Sequence, residues 1–126
     1  MRYALLLHYP EMSADELGPE ALAEGMREFD EYAKALDAAG VLRSAEVLQP
    51  STATTTVRGG EPLRIQDGPY ADTKEQLGGT FVIDVADLDA AIGWAGRAPS
   101  AGWGAVEIRP VGTRFVDGAW TGFDYR

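Results

Sequence analysis

Cysteine is absent from this 126-residue chain, and His8 is its single histidine. Without thiols there is no disulfide framework, no thiolate metal site and no cysteine nucleophile. One imidazole rules out a multi-histidine metal centre within one chain. A carboxylate site for a hard cation has no loop signature here, so the sequence predicts no metal and no cofactor. Lysine is nearly as scarce, with only Lys34 and Lys74. Acidic residues outnumber basic ones, 20 against 11, for a formal net charge of -9. Phosphate-directed binding needs a basic face, so no nucleic-acid partner is expected. No apolar run approaches the roughly 20 residues of a membrane helix. The apolar start of the chain is also too short for a signal-peptide core. These absences predict a cytoplasmic protein with no membrane partner. No phosphate loop, dinucleotide fingerprint or nucleophile elbow is present.

What is present suits a globular fold: 45% of residues are hydrophobic and 25% charged, the ordinary balance for a soluble domain. The length predicts a single domain over residues 1–126. Arg2 to Tyr9 reads as a strand stopped by Pro10. Ser13 and Glu16 have capping-box spacing. Pro19 suits the first turn of a long helix, with Leu22, Met26, Phe29, Ala33 and Leu36 as its apolar stripe and Gly40 as its stop. Strands are expected at Leu42 to Leu48, Thr52 to Arg58, Leu63 to Gln66, Thr80 to Val85 and Ala105 to Val111. One helical turn is expected at Thr73 to Leu77. Gly59-Gly60 and Gly78-Gly79 read as turn or bulge glycines. Asp87 caps a second helix whose face is Leu88, Ala91, Ile92 and Ala95. With the middle strands counted as a hairpin and its extension, the order is βαββαβ, an α+β ferredoxin-like plan with two helices on one face of an antiparallel sheet. Residues 113–126 form an aromatic extension. Asp117-Gly118 there fits a type I′ hairpin turn, and Phe115, Trp120, Phe123 and Tyr125 cover an edge or reach a partner.

The segment Asp67-Gly-Pro-Tyr-Ala-Asp-Thr-Lys-Glu-Gln-Leu-Gly-Gly79 resembles the DGPF-type motif of the YCII-related family. It departs from that pattern at Tyr70, where the family has Phe, and at Asp72, where it has Glu. Glu46 to Pro50, Thr54 to Arg58, Phe81 to Val85, Asp87 to Ala91 and Val106 to Val111 extend the resemblance to nearly all of Met1 to Val111. It implies a dimeric α+β barrel, in which two ferredoxin-like subunits pack their open sheet faces together. Related proteins have been proposed as enzymes from a His-Asp pair whose His lies near the first helix. No histidine occurs between Pro19 and Ala39 here, so that pair does not carry over. The DGPF-type branch is also associated with extracytoplasmic-function sigma factors, which implies a regulatory or accessory role.

Strand alternation supplies candidates independently. On each strand one side is apolar. The other is mixed and carries His8, Glu46, Asp84, Glu107 and Arg109. A partly apolar cleft with a few ionisable groups is the usual form of a ligand site. His8 is the one side chain whose ordinary pKa lies near neutrality. A carboxylate such as Glu46 or Asp67 beside it makes an acid–base pair. The alternative for His8 is a strand-end or interface contact, and for Asp67 a turn role through backbone amides. Lys74, Arg109, Tyr70 and Asp72 are candidate ligand-binding residues for a small anionic or aromatic molecule. Surface pairing is the alternative for both cations. Two functions fit: a cofactor-free small-molecule enzyme working by acid–base chemistry in a homodimeric barrel cleft, or a non-catalytic ligand-binding or regulatory accessory protein.

Overall fold

The computed structural model describes residues 1–123, so Tyr125 of the aromatic extension lies outside the described residues. Strand β1 (Arg2–Pro10) is followed by the short helix α1 (Ala14–Leu17), the long helix α2 (Pro19–Ala38) and β2 (Leu42–Val47). A hairpin of β3 (Thr55–Arg58) and β4 (Arg64–Asp67) precedes β5 (Glu75–Asp84), helix α3 (Leu88–Gly96) and β6 (Ala105–Pro110). The main sheet has the order β2-β5-β1-β6, with every neighbouring pair antiparallel. With the β3–β4 hairpin set aside as an insertion in its own two-stranded sheet, this is the ferredoxin-like arrangement.

Local chemistry places the boundaries. Ser13 and Glu16 form the reciprocal capping box that opens α1, and Pro19 stands in the first turn of α2. Helix α2 stops in a Schellman pattern: Gly40 at φ 75° donates to the Asp37 carbonyl and Val41 donates to that of Leu36, satisfying carbonyls the last turn leaves open. Asp87 caps α3 by accepting from the Ala90 amide at 2.9 Å. Asp117 and Gly118, at φ 52° and 80°, form the turn between β7 (Phe115–Val116) and β8 (Ala119–Trp120), as the Asp-Gly pair predicts.

The core lies between the sheet and helices α2 and α3. Tyr3, Leu5 and Leu7 of β1 and Phe81 and Ile83 of β5 are buried against Tyr32, Leu36, Ala91, Ala95 and Ala98. The Tyr32 hydroxyl donates to the Trp94 carbonyl at 2.7 Å, tying the two helices together.

Three expectations are corrected. Thr73 to Leu77 is no helical turn: β5 already begins at Glu75 and pairs with Pro10. Pairing to the long β1 supplies backbone partners that outweigh the local turn tendency. The α2 stripe meets the core only in its second half: Phe29, Ala33 and Leu36 pack there and Tyr32 joins them, while Met26 is 67% exposed and Leu22 39%. On α3, Ala91 and Ala95 face the sheet while Leu88 and Ile92 are half-exposed. Small alanines let α3 approach the sheet closely, so the larger residues beside them turn outward.

Candidate functional site

Side chains alternate along β1. The register places Leu6 opposite Thr80 and Glu107, and Ala4 opposite Val82 and Arg109. Glu46 faces Thr80 on the far side of β5. Arg2, Ala4, Leu6, His8, Thr80, Val82, Asp84, Ser44, Glu46, Glu107 and Arg109 therefore share the face that neither helix covers, and all five ionisable residues assigned to the mixed side occupy it.

At one end of this face a cleft of about 940 Å³ opens, within the range of small-molecule sites. Its floor carries His8, Glu107, Ala105 and Leu77. Leu48 to Thr54 forms one wall and Pro69 to Gln76 the other. The lining is largely apolar, interrupted by a few titratable groups: His8, Tyr70, Lys74, Glu75 and Glu107.

His8 is the centre of this arrangement. It pairs with Ala105 on β6, so Glu107 is its diagonal neighbour. The Nε2 atom lies 2.6 Å from Glu107 Oε1. Nε2 is closed to solvent and has no hydrogen-bond partner, so the two groups lie close together without an aligned hydrogen bond. A buried polar atom in this state has interaction capacity left over. Glu107 is half-exposed, with 54% of its side chain open, and His8 less so at 26%. The histidine is thus the sheltered member and the carboxylate the open one.

Of the other candidates, Lys74 and Tyr70 line the cleft and Asp67, Glu46, Arg109 and Asp72 do not. Lys74 forms no ion pair among the described residues. Tyr70 is 74% exposed, and the Arg58 guanidinium lies 5.1 Å from its ring centre. Neither carboxylate expected beside His8 is there. Glu46 sits on β2, which β5 separates from β1. Asp67 ends β4 opposite Thr55, away from the main sheet. The turn role expected of Asp67 is also filled by others: Gly68 donates to the Thr54 carbonyl and Thr56 Oγ1 donates to that of Gly68, both at 2.8 Å. Arg109, opposite Ala4, makes no ion pair among the described residues. The wall at Ala71 to Gln76 is held by Gln76, whose amide donates to the Ala71 and Thr73 carbonyls, and by Thr73 Oγ1 donating to the Glu75 carbonyl.

Residues missed as site-builders are Glu107 as the partner of His8, Tyr9, and the Leu48 to Thr54 wall. For Glu107 the signal was available, because a ferredoxin-like order places the last strand beside the first. At the cleft rim Glu11 accepts from the Ser51 amide and from its hydroxyl, tying the wall to the end of β1. Tyr9 is half-buried, and its hydroxyl pKa is raised by burial and by the nearby Glu11 carboxylate. Among the described residues no cluster of three or more His, Asp or Glu is placed to hold a metal, and no helix is long and apolar enough to cross a membrane.

Comparison with known proteins agrees with this fold. Residues 1–114 match the YCII-related domain. An uncharacterized protein of Rhizobium meliloti (strain 1021) is 36% identical over 115 residues, spanning 88% of this chain and 92% of that protein. Among solved structures, 5-chloro-2-hydroxyhydroquinone dehydrochlorinase from Burkholderia phenoliruptrix AC1100, in complex with 2,5-dihydroxybenzoquinone, aligns with a TM-score of 0.50 at 13% identity. That alignment covers 88% of this chain and 93% of the dehydrochlorinase, and at such identity it is a likeness of fold. The domain match and the Rhizobium relative place this chain in the YCII-related family.

Proposed function

We propose that this protein is an acid–base enzyme acting on a small organic anion in the cleft beside His8. The observation that carries the reading is the 2.6 Å approach of His8 Nε2 to Glu107 Oε1 on the floor of a largely apolar cleft. With Nε2 turned toward Glu107, Nδ1 is the atom that takes or returns a proton. Glu107 stabilises the imidazolium formed in between. Lys74 is the anchor for the anionic end of the substrate, since it lines the cleft and pairs with no carboxylate among the described residues. The dehydrochlorinase with the similar fold acts on a chlorinated hydroxyhydroquinone. That activity is in keeping with small-molecule chemistry here and does not assign the substrate.

The working unit in this reading is a homodimer. An antiparallel sheet covered by helices on one side leaves the other to be hidden or solvated, and here that side carries Ala4, Leu6 and Val82 beside the charged residues. A light-scattering mass near 13.5 kDa would reject the dimer.

The enzyme reading is tested by solvent deuterium exchange. Enolisable organic acids that bind are incubated in deuterated buffer, and loss of the proton next to the carbonyl is followed by NMR. The proton passes from carbon to His8 Nδ1, and a deuteron returns. His8→Ala is expected to slow exchange by roughly 10²–10⁴-fold, and Lys74→Met to weaken binding. Exchange unchanged in His8→Ala would overturn the assignment. The second reading, a non-catalytic ligand-binding or accessory protein associated with a sigma factor, is favoured by one observation: the His8 N–H is not aligned with Glu107. Stoichiometric binding with no exchange would select it.

A further inference from the structure

Beside His8, strand β5 departs from regular sheet geometry, while the pairing of β1 with β6 stays regular. The β1–β5 register breaks between Leu7 and His8: Leu7 pairs with Gly79, but His8 pairs with Leu77, leaving Gly78 as an extra residue. Such a bulge bends the strand and re-aims neighbouring side chains. Gly78 has no free space where a side chain would go. A Cβ there would lie 2.2 Å from Tyr9 Cζ and 2.3 Å from its hydroxyl. The Tyr9 ring covers the bulge, its hydroxyl donates to the Gly78 carbonyl at 3.2 Å, and the Trp103 ring meets it edge-on at 5.0 Å. On the opposite side of β1, a Cβ on Gly104 would lie 2.0 Å from the His8 carbonyl oxygen and 2.9 Å from Tyr9 Cα. Neither glycine has a positive φ, so what each position needs is close approach and not a left-handed backbone.

From these contacts we infer that Gly78, Tyr9 and Gly104 are positioning residues that set His8 against Glu107. Gly104 lets the start of β6 close onto the His8 peptide, which brings Glu107, three residues later, onto the floor of the cleft. Gly78, the extra residue of β5, leaves room for the Tyr9 ring, and Tyr9, next to His8 in β1, fills the space above the glycine, pins the bulge and so fixes the backbone that carries His8. The two glycines differ in kind. The obstacle at Gly104 is backbone, which has nowhere to go. At Gly78 it is the far end of one side chain, which can swing away. Alanine at 104 therefore separates β1 from β6, whereas alanine at 78 evicts the Tyr9 ring and leaves the strands paired. The role rests on the reading of His8 and Glu107 as a working pair, but its test needs no substrate.

Because the chain has one histidine, isotope labelling of histidine gives a single imidazole in the NMR spectrum. The quantity to read is the change in its ring nitrogen shifts caused by Glu107→Gln. This change is measured in the parent chain and again in Gly104→Ala, Gly78→Ala, Tyr9→Phe and Gly93→Ala backgrounds, forming double-mutant cycles. The expectation is a clear response in the parent and one at least roughly threefold smaller in Gly104→Ala and Gly78→Ala. Tyr9→Phe, which keeps the ring and loses the hydroxyl, falls between. Gly93→Ala is the control, since nothing lies within 4 Å of its Cβ position in α3, and its response matches the parent.

Full response in both Gly104→Ala and Gly78→Ala overturns the inference, as does no response in the parent. If Gly104→Ala does not fold, the Gly78→Ala and Tyr9→Phe cycles decide by the same criterion. The outcome is separable from the enzyme reading. Loss of the response together with an absence of proton exchange on every bound acid leaves the positioning role standing and removes the catalysis. A retained response with His8-dependent exchange does the reverse.

Discussion

The two faces of strand β1 share one backbone and have opposite chemistry. Tyr3, Leu5 and Leu7 point into the helices and are 3%, 0% and 0% exposed. Ala4, Leu6 and His8, alternating with them, stand on the uncovered face and each keep part of their surface open. The covered face is packed with apolar atoms and the Tyr32 hydroxyl is bonded to a carbonyl, the exception being Ser100, whose buried hydroxyl has no hydrogen-bond partner among the described residues. The open face keeps a histidine nitrogen short of a good hydrogen bond and, in the cleft beyond it, Lys74, which pairs with no carboxylate among the described residues. A fold holds such groups only where something else keeps the geometry, and here the covered face does so. The packing is concentrated on one side of the sheet and the ionisable groups on the other.

The difference is sharpest in a matched pair of truncations. Leu5→Ala removes a side chain with no exposed surface from the core between the sheet and the helices and is expected to cost about 2–5 kcal/mol in denaturant unfolding. Leu6→Ala, one residue along on the partly open face, is expected to cost at most about 1 kcal/mol in dilute solution. The Leu6 penalty should grow with protein concentration if a second copy covers that face, because association then adds to stability, whereas the Leu5 penalty should not. Equal costs at all concentrations would erase the distinction between the faces.

Tyr32 measures how complete the closure is. Tyr32→Phe removes the 2.7 Å hydrogen bond to the Trp94 carbonyl and is expected to cost about 1 kcal/mol. Burial pushes the Tyr32 hydroxyl up to about 12, against an ordinary value of 10. A pKa raised on folding means that the folded state favours the neutral phenol. This stabilisation is full below about pH 10 and drains away as pH rises through about 12. The parent should therefore lose stability more steeply than Tyr32→Phe across that window in urea titrations. Parallel curves would mean the hydroxyl is open to water.

Most of the covered face could be read from the sequence, because alternation and caps are local. Ser13 with Glu16, Pro19, Gly40, Asp87 and Asp117-Gly118 all act within a few residues of themselves, and each does what its type predicts. How far along α2 the core extends is less legible, since Phe29, Ala33 and Leu36 pack as the stripe predicts and Leu22 and Met26 do not. Met26 lies at the right spacing for a core stripe but near the helix start, and Tyr32 packs beside the stripe against Phe81, at a ring distance of 5.5 Å; spacing does not reveal where along a helix the sheet ends. On the open face, alternation sorts the side chains by face but leaves their pairing open. Alternation places His8, Glu46 and Glu107 on one side, but strand order decides which carboxylate is adjacent, and β6 lies next to β1 while β2 does not. Asp67 was misplaced for a related reason, since its turn belongs to the inserted hairpin and not to the main sheet. The glycines at 78 and 104 matter through atoms far away in sequence, which composition and spacing do not show.

The smallest effect is expected where the open face resolves its own charges. At the other end from His8, Asp84 lies 3.2 Å from the Met1 ammonium, 3.7 Å from Arg43 and 3.8 Å from Arg2. Its pKa is lowered, chiefly by the hydrogen bond from that ammonium, with the charges of the ammonium, Arg43 and Arg2 adding to it and partial desolvation opposing. A carboxylate whose pKa falls on folding contributes stability that is present above its ordinary pKa and is lost as pH drops through the folded value. The site is open to water, so Asp84→Asn is expected to cost no more than about 1 kcal/mol near neutral pH. The loss should shrink with added salt and vanish at acid pH, where the parent carboxylate is itself neutral. A penalty that persists in acid would mean that Asp84 supports β5 through packing, and that the paired charges at this end contribute little of the stability that distinguishes it from the His8 end.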